Sequence, residues 1–176
     1  MDLEVDEIMS EHKSITLQNL TVRDAPDMLF PGGAEAWIDV FEREKLSDQV
    51  PLKIVGLFDV AKGTMIYGWF YYPLLTVGTE QCFRIVESAV RIKCEEIGIK
   101  TKRLSKKGEA LPVSFSRLQE TLFSRGILDH KERDRWGALR DLRNMASHPE
   151  SQSIMTPAMA VDMLRIAVGQ VNELFR

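Results

Sequence analysis

Apolar residues recur at helical spacing along much of this chain. The most regular stretch follows Pro157, where apolar positions return every three or four residues: Val161, Leu164, Val168, Val171 and Phe175. That period matches the turn of an α-helix and predicts an amphipathic helix. Thr156 followed by Pro157 is typical of an N-cap and a first-turn proline, so this helix should begin there.

The longest helical pattern runs from about Thr64 to Ile97. Charged residues of alternating sign share one stripe of it, which predicts paired charges on a solvated or intersubunit face: Glu80, Arg84, Glu87 and Arg91. Pro73 should kink or break the aromatic first part of the pattern. Gly98 is well suited to end it.

Shorter segments precede and follow this pattern. A helix is predicted over residues 34–46, after the break at 31–33, and an apolar piece follows at 52–60. Residues 15–22 form either an extended segment or a coil over the core. A basic loop is expected at 100–107.

Two further helices are predicted before the last one. Apolar spacing over residues 115–122 predicts a short helix, and Gly126 ends it. Asp129 and Glu132 resemble a capping box, which would open a helix over about 131–147. Together these elements predict an all-α fold, an up-and-down helical bundle of four to five helices.

Composition and charge indicate an ordinary globular protein. The chain has 176 residues, enough for one domain with its own core. The net charge of -3 argues against a strongly basic nucleic-acid-binding protein, but leaves room for a local basic patch. Cys82 and Cys94 lie about 18 Å apart on one predicted helix, too far for a disulfide, so we expect reduced core residues. The acidic N-terminus has no secretory signal and no apolar run spans a membrane, so we expect a cytoplasmic protein without membrane contact.

Common catalytic patterns are missing from the chain. The three histidines, His12, His130 and His148, are scattered. Neither HExxH nor a CxxC pair is present, so no metal site is predicted. Glycine-rich phosphate loops and the G-x-S-x-G elbow are missing as well, so no cofactor is expected.

The segment from Arg133 to Pro149 carries the most chemical information. On a helical projection, its apolar residues share one arc that forms a core face: Ala138, Leu139, Leu142, Met145 and Ala146. The opposite arc holds basic, polar and aromatic residues: Arg133, Trp136, Gly137, Arg140, Arg143, Asn144 and Ser147. Such a mixture is typical of a partner surface or a functional site.

The end of this predicted helix allows two reactive residues to approach each other. Pro149 disfavours the α conformation at His148, so the helix should stop near Ser147. Arg143 and Asn144 then occupy its last turn. On a continued helix, Arg143 and His148 would point about 140° apart. A turn of the chain at His148 allows both to face one pocket.

The pattern Arg143-Asn144-x-x-x-His148 resembles the R-x(4–6)-H signature of the HEPN superfamily, with a polar residue directly after the arginine. The neighbouring LRDLRN and SHP, the upstream YYPLLTVGTEQCFRIVESAV and the closing amphipathic helix are also similar to that family. The likeness covers roughly residues 63–176, which are expected to form a HEPN-like bundle. Residues 1–62 are then an N-terminal extension with one helix packed on that bundle.

The resemblance implies a metal-independent endoribonuclease in a toxin–antitoxin or antiphage defence system. In this family the active site usually forms where two subunits meet, so we expect a homodimer that acts on RNA or a nucleotide. A cognate antitoxin or a defence-system protein is the expected partner. Arg143 would hold the phosphoryl oxygens, His148 would move the proton, and Asn144 would orient either group. Three further residues are expected to contact substrate: Arg140, Ser147 and Trp136. Glu80 or Glu87 would hold Arg143 in place.

Several alternatives stay open at this point. Arg143 and His148 would also interact favourably with the helix C-terminal dipole, in a scaffold where the motif is accidental. A non-catalytic HEPN module would use the same residues to bind a phosphate-bearing ligand or a partner chain. Trp136 is a core or interface residue in one interpretation and a base-stacking platform in another. The basic tract 100–107 is either an RNA-backbone contact or a mobile loop.

Overall fold

A computed structural model describes residues 13–24, 30–137 and 155–176. Most of them are helical: α1 (Ala34–Glu42), α2 (Leu52–Tyr67), α3 (Leu74–Glu96), α4 (Phe115–Ser124) and α5 (Pro157–Leu174). A hairpin of β1 (Lys102–Leu104) and β2 (Ala110–Pro112) joins α3 to α4. A 3-10 turn (His130–Glu132) precedes the helical residues 133–137. The described residues therefore confirm the predicted all-α class.

The long pattern predicted from Thr64 to Ile97 is divided between two helices at the position of Pro73. The first, α2, ends at Tyr67, and α3 begins at Leu74. A proline lacks the N–H donor that a continuous helix needs, and this explains the break. The apolar piece predicted at 52–60 is the first part of α2, a helix that the sequence pattern did not reveal.

Helices α2 and α3 approach each other closely because Gly78 leaves room between them. A Cβ atom on Gly78 would lie 2.5 Å from Met65 Cγ and 3.2 Å from the carbonyl oxygen of Ala61. Both distances are shorter than ordinary van der Waals contact, so a larger residue would push the two helices apart. Since α3 also contacts α4 and α5, it is the central helix of the core.

The buried face of α3 includes both cysteines. Its fully buried apolar side chains are Leu75, Cys82, Ile85, Val86, Ala89, Val90 and Cys94. Neither thiol forms a disulfide. Burial raises the pKa of Cys82 to about 12 and also raises the pKa of Cys94, so both thiols stay protonated near neutral pH. The prediction that both are reduced core residues is confirmed.

Helix α1 is packed into the core. Trp37 is 0% exposed, and its indole N–H donates to the carbonyl oxygen of Ile66 in α2 at 2.9 Å. The Trp37 ring meets Phe41 and Trp69 edge-on, with ring centroids 5.6 Å apart in each pair. Helix α2 itself runs across residue 62, the predicted boundary between the extension and the bundle.

The coil of residues 13–24 lies against the connection between α2 and α3. Lys13 Nζ donates to the carbonyl oxygen of Phe70 at 2.9 Å, and the Asp24 carboxylate accepts from the N–H of Tyr72 at 2.8 Å. The apolar side chains of this coil are exposed: Ile15, Leu17, Leu20 and Val22. Polar contacts, and not these apolar side chains, therefore attach the coil to the bundle.

Helix α5 begins where the sequence predicts and also contacts the loop after α1. The Thr156 hydroxyl accepts from the N–H of Met159 at 3.3 Å, which confirms the predicted N-cap. The Asn172 side chain accepts from the N–H of Ser47 at 2.8 Å and donates to the carbonyl oxygen of Lys45 at 3.2 Å. One side chain of α5 thus satisfies two backbone groups of the loop after α1.

The tract 100–107, predicted as a basic loop, belongs to a β-hairpin. The two strands pair antiparallel, with Arg103 opposite Leu111. The Ser105 hydroxyl accepts two backbone N–H groups of the turn, and Gly108 has a φ of 81°, a left-handed conformation that suits glycine. Each strand has three residues, all exposed, so no apolar alternation marks it in the sequence.

Candidate functional site

The residues predicted for catalysis and for most substrate contacts lie outside the described residues: Arg140, Arg143, Asn144, Ser147 and His148. The convergence of Arg143 and His148 on one pocket therefore stays a prediction. The structure describes the stretch that leads into the motif, residues 133–137, and the elements packed against that stretch.

Residues 133–137 are held from two sides by buried glutamines. Gln119 of α4 donates through Nε2 to the carbonyl oxygen of Trp136 at 3.4 Å. Gln170 of α5 donates to the carbonyl oxygen of Arg135 at 3.2 Å. Both glutamines are almost fully buried, and a buried amide is costly without hydrogen bonds. The two residues therefore fix the position of the stretch that leads to the motif.

The Trp136 side chain belongs to the hydrophobic core. It is 1% exposed. Its indole nitrogen is buried and has no hydrogen-bond partner among the described residues. An indole enclosed in this way offers no face to a nucleic-acid base, so the core interpretation of Trp136 is favoured over the base-stacking one.

A bidentate ion pair attaches the first residue of this stretch to α4. Arg133 donates to both carboxylate oxygens of Glu120, at 2.8 and 3.1 Å. Its guanidinium also lies 4.7 Å over the ring of Phe123. The hydrogen bond from Arg133 lowers the pKa of Glu120, and the same bond raises the pKa of Arg133. The Arg133 side chain therefore attaches residues 133–137 to α4. The sequence predicted Arg133 on the arc opposite the core face, as part of a partner surface or functional site.

We expect the Glu120 carboxyl to titrate below its ordinary pKa of 4.5 in the folded protein. Because this folded-state pKa is lowered, the pair stabilises the fold above the unfolded pKa and loses that contribution as the pH falls through the folded pKa. An NMR titration of the Glu120 carboxyl resonance measures the midpoint. Arg133→Ala should raise the midpoint, because it removes the largest cause of the lowered pKa, and a wild-type midpoint at or above 4.5 would contradict the ion pair.

The two carboxylates predicted to support Arg143 have different surroundings on α3. Glu80 is exposed and forms no ion pair with any described residue. Glu87 is half-buried and accepts from Arg91, one turn further along, at 2.7 Å. Arg91 also donates to the carbonyl oxygen of Val113 at 3.0 Å, where the chain leaves β2. The Glu87–Arg91 pair thus connects α3 to the hairpin, while contact of either carboxylate with Arg143 stays a prediction.

An open cleft lies beside the Glu87–Arg91 pair, between α3, the hairpin and the start of α4. Its volume is about 570 Å³, and its lining includes Glu87, Arg91, Arg103, Ser114, Phe115 and Arg117. Arg103 and Arg117 are exposed and form no ion pair with any described residue. Sequence inspection missed this cleft because its residues come from three separate segments that only the fold brings together. In the sequence, the basic tract at 100–107 was the one feature that indicated it.

Residues 13–24, 30–137 and 155–176 contain no group of three or more His, Cys, Asp or Glu side chains that would hold a metal ion. Within the same ranges, no helix is both long enough and apolar enough to cross a membrane.

Comparisons with known proteins add no further assignment. No protein-family model, no curated protein and no solved structure matches this chain. The HEPN resemblance therefore depends on the sequence pattern of residues 63–176, above all on Arg143-Asn144-x-x-x-His148.

Proposed function

We propose that this protein is a metal-independent endoribonuclease of the HEPN type, with Arg143 and His148 as its catalytic pair. The observation that carries the proposal is the motif Arg143-Asn144-x-x-x-His148, followed at once by Pro149. It combines an arginine, which is always charged, with a histidine that titrates near neutral pH. A homodimer that brings two such motifs to one cleft, in a toxin–antitoxin or antiphage defence system, completes the proposal.

The proposed reaction is attack of an RNA 2′-hydroxyl on the adjacent phosphate. His148 takes the proton from the 2′-hydroxyl as the 2′-oxygen bonds to phosphorus. The bond between phosphorus and the 5′-oxygen breaks, and that oxygen takes a proton from water, which the protonated His148 then replaces. Arg143 stabilises the negative charge on the phosphoryl oxygens, and Asn144 orients the phosphate or the imidazole. The products are a 2′,3′-cyclic phosphate and a 5′-hydroxyl.

The described scaffold suits this proposal in one respect. A catalytic pair needs a fixed position, because small displacements cost much of the rate. Residues 133–137 lead directly into the predicted catalytic segment, and Gln119 and Gln170 hold their backbone from two helices. Trp136 lies in the core and so helps to anchor the segment, which leaves base contacts to other residues.

A second candidate function is a non-catalytic HEPN module that binds a phosphate-bearing ligand. The observation in its favour is the cleft lined by Arg103 and Arg117, which offers two guanidiniums without a carboxylate partner among the described residues. Guanidiniums bind phosphate through paired hydrogen bonds. In this case the motif at Arg143 and His148 would bind a ligand or a partner chain without cleaving it.

Incubation of the purified protein with a mixed RNA pool in EDTA tests the proposal. We expect cleavage without added metal, and new ends that carry 2′,3′-cyclic phosphate and 5′-hydroxyl groups. Mass spectrometry and size-exclusion chromatography should first establish that the protein is dimeric and free of a bound antitoxin. Intact RNA under those conditions would favour the binding module. Cleavage that appears only after a divalent metal is restored would contradict the metal-independent mechanism.

A further inference from the structure

We infer that the cleft between α3, the hairpin and α4 binds the phosphate groups of a single-stranded RNA. This inference rests on the proposed RNA substrate and assigns the strand a binding surface formed by residues other than Arg143 and His148. The cleft has a volume of about 570 Å³, large enough for more than an isolated ion. Arg103 enters it from β1 and Arg117 from the first turn of α4.

Charge in the cleft favours an anion. Arg91 is paired with Glu87 at 2.7 Å, so these two side chains neutralise each other. Arg103 and Arg117 are both exposed and have no ion-pair partner among the described residues. Two guanidiniums at one opening attract a phosphate-bearing strand and match its oxygens with paired donors.

The local structure keeps the two arginines at one opening. The Arg91 guanidinium donates to the carbonyl oxygen of Val113 at 3.0 Å, which holds the end of β2 against α3. The N–H of Val113 donates to the carbonyl oxygen of Thr101 at 2.8 Å, which joins the two ends of the hairpin. Since only Ser114, the N-cap residue, separates Val113 from α4, the same contacts position the helix that carries Arg117.

Two features favour a nucleic-acid strand over another anion. Phe115 lines the same cleft as the two arginines and is only partly buried, and a basic groove that also contains aromatic rings is the usual surface for unpaired bases. Four lysines also lie close to Arg103 along the chain, in the basic tract 100–107: Lys100, Lys102, Lys106 and Lys107. None of these lysines forms an ion pair with a described residue. A chain of phosphates can follow such a surface, whereas a single phosphate cannot.

Binding of a short, fluorescent 2′-O-methyl RNA tests the inference by anisotropy at several salt concentrations. This probe keeps every phosphate but lacks the attacking hydroxyl, so the wild-type chain can be used without cleavage. The variant Arg103→Ala/Arg117→Ala removes both cleft guanidiniums. The control Arg43→Ala/Lys53→Ala removes the same charge from exposed positions outside the cleft. Circular dichroism should show equal helical content in all three proteins.

Counterion release predicts the size of the effect. Each phosphate contact to a single strand changes the slope of log affinity against log salt concentration by about 0.7. Loss of two contacts therefore corresponds to roughly 25-fold weaker binding near 0.1 M salt. The slope should fall by about 1.4 in the cleft variant. The control variant should keep the wild-type slope and an affinity within about twofold of wild type, since its charges lie outside the cleft. Wild-type affinity and slope in the cleft variant would overturn the inference.

Two competitors identify the source of the phosphate and the class of anion. Adenosine monophosphate that competes as strongly as the RNA would overturn the assignment to a strand. A polyglutamate peptide of equal charge that competes as strongly would overturn the assignment to phosphate. If the protein binds RNA through the cleft but does not cleave it, the inference about the cleft is supported and the proposed nuclease activity is contradicted. If the cleft variant binds and cleaves RNA as the wild type does, the nuclease activity is supported and the inference about the cleft is contradicted.

Discussion

His148→Ala should lower the rate of RNA cleavage in EDTA by about 10²–10⁴-fold. That range is the usual contribution of a general acid–base residue, because without the imidazole the 2′-hydroxyl must lose its proton to water. Helical content should not change, since the proposed role of His148 is chemical. Initial rates of cleavage, measured beside circular dichroism spectra of the same samples, check both parts of this prediction.

The chain offers a matched control for this variant in His130. That residue is exposed, lies on the 3-10 turn before the motif, and places its ring 5.7 Å from the ring of Phe123. His130→Ala therefore removes an imidazole near the same segment and should retain the wild-type rate. Equal rates in wild type and His148→Ala would rule out His148 as the catalytic residue. Equal losses in both variants would indicate a general effect of histidine removal.

Trp37→Ala should lower the free energy of unfolding by about 3–5 kcal/mol, the usual effect of removing a large buried aromatic side chain. Trp37 is fully buried and packs edge-on against three aromatic rings: Phe30, Phe41 and Trp69. The substitution would leave a cavity at this point. It would also remove the hydrogen bond from the indole to the carbonyl oxygen of Ile66.

Urea unfolding, followed by both circular dichroism and tryptophan fluorescence, measures this loss. Ile38→Ala is the control, because Ile38 lies next to Trp37 on α1 but is 43% exposed, and its truncation should change stability little. One shared transition, displaced to lower urea in Trp37→Ala, is expected if α1 belongs to the bundle. If residues 1–62 were instead a separable extension, the rest of the protein would unfold at the wild-type urea concentration in Trp37→Ala.

The sequence predicted those elements whose signals are local. The N-cap at Thr156, the break at Pro73 and the ends of α3 and α4 beside Gly98 and Gly126 all follow from single residues with restricted or unusual backbone preferences. Both glycines have positive φ, of 75° and 68° respectively, as helix-ending glycines commonly do. Such signals can be recognised without knowledge of the surrounding fold.

Helix α2 was missed because its apolar residues do not keep to one face. Leu52 is 87% exposed and Val60 is also exposed, whereas Ile54 and Phe58 are buried. A helix with apolar residues on several sides has no clear 3.6-residue period, so its buried side becomes apparent only from its packing against α1 and α3. The hairpin was not predicted for a related reason. Its strands have no buried face, so the sequence shows no alternation of apolar and polar residues there.

The candidate sites differ in how far sequence alone can describe them. The Arg143–His148 motif is contained in six consecutive residues, so it can be recognised directly as a pattern. Gln119 and Gln170 gave no such signal, because their importance comes from burial against carbonyl groups of another segment. The cleft formed by Arg103 and Arg117 likewise depends on tertiary contacts, which a linear pattern does not contain.

The hydrogen bonds of Asn172 have a consequence for how the protein is made. Residues 45 and 47 leave the ribosome before Asn172 is synthesised. Their hydrogen bonds with the Asn172 side chain therefore form only after residue 172 has emerged. Helix α5 also covers part of α3, and that face stays open until residues 157–174 have left the exit tunnel. A nascent chain that already contains α1 to α4 therefore presents uncovered apolar surface to chaperones. Release of α5 from the ribosome therefore allows this face of α3 to be covered.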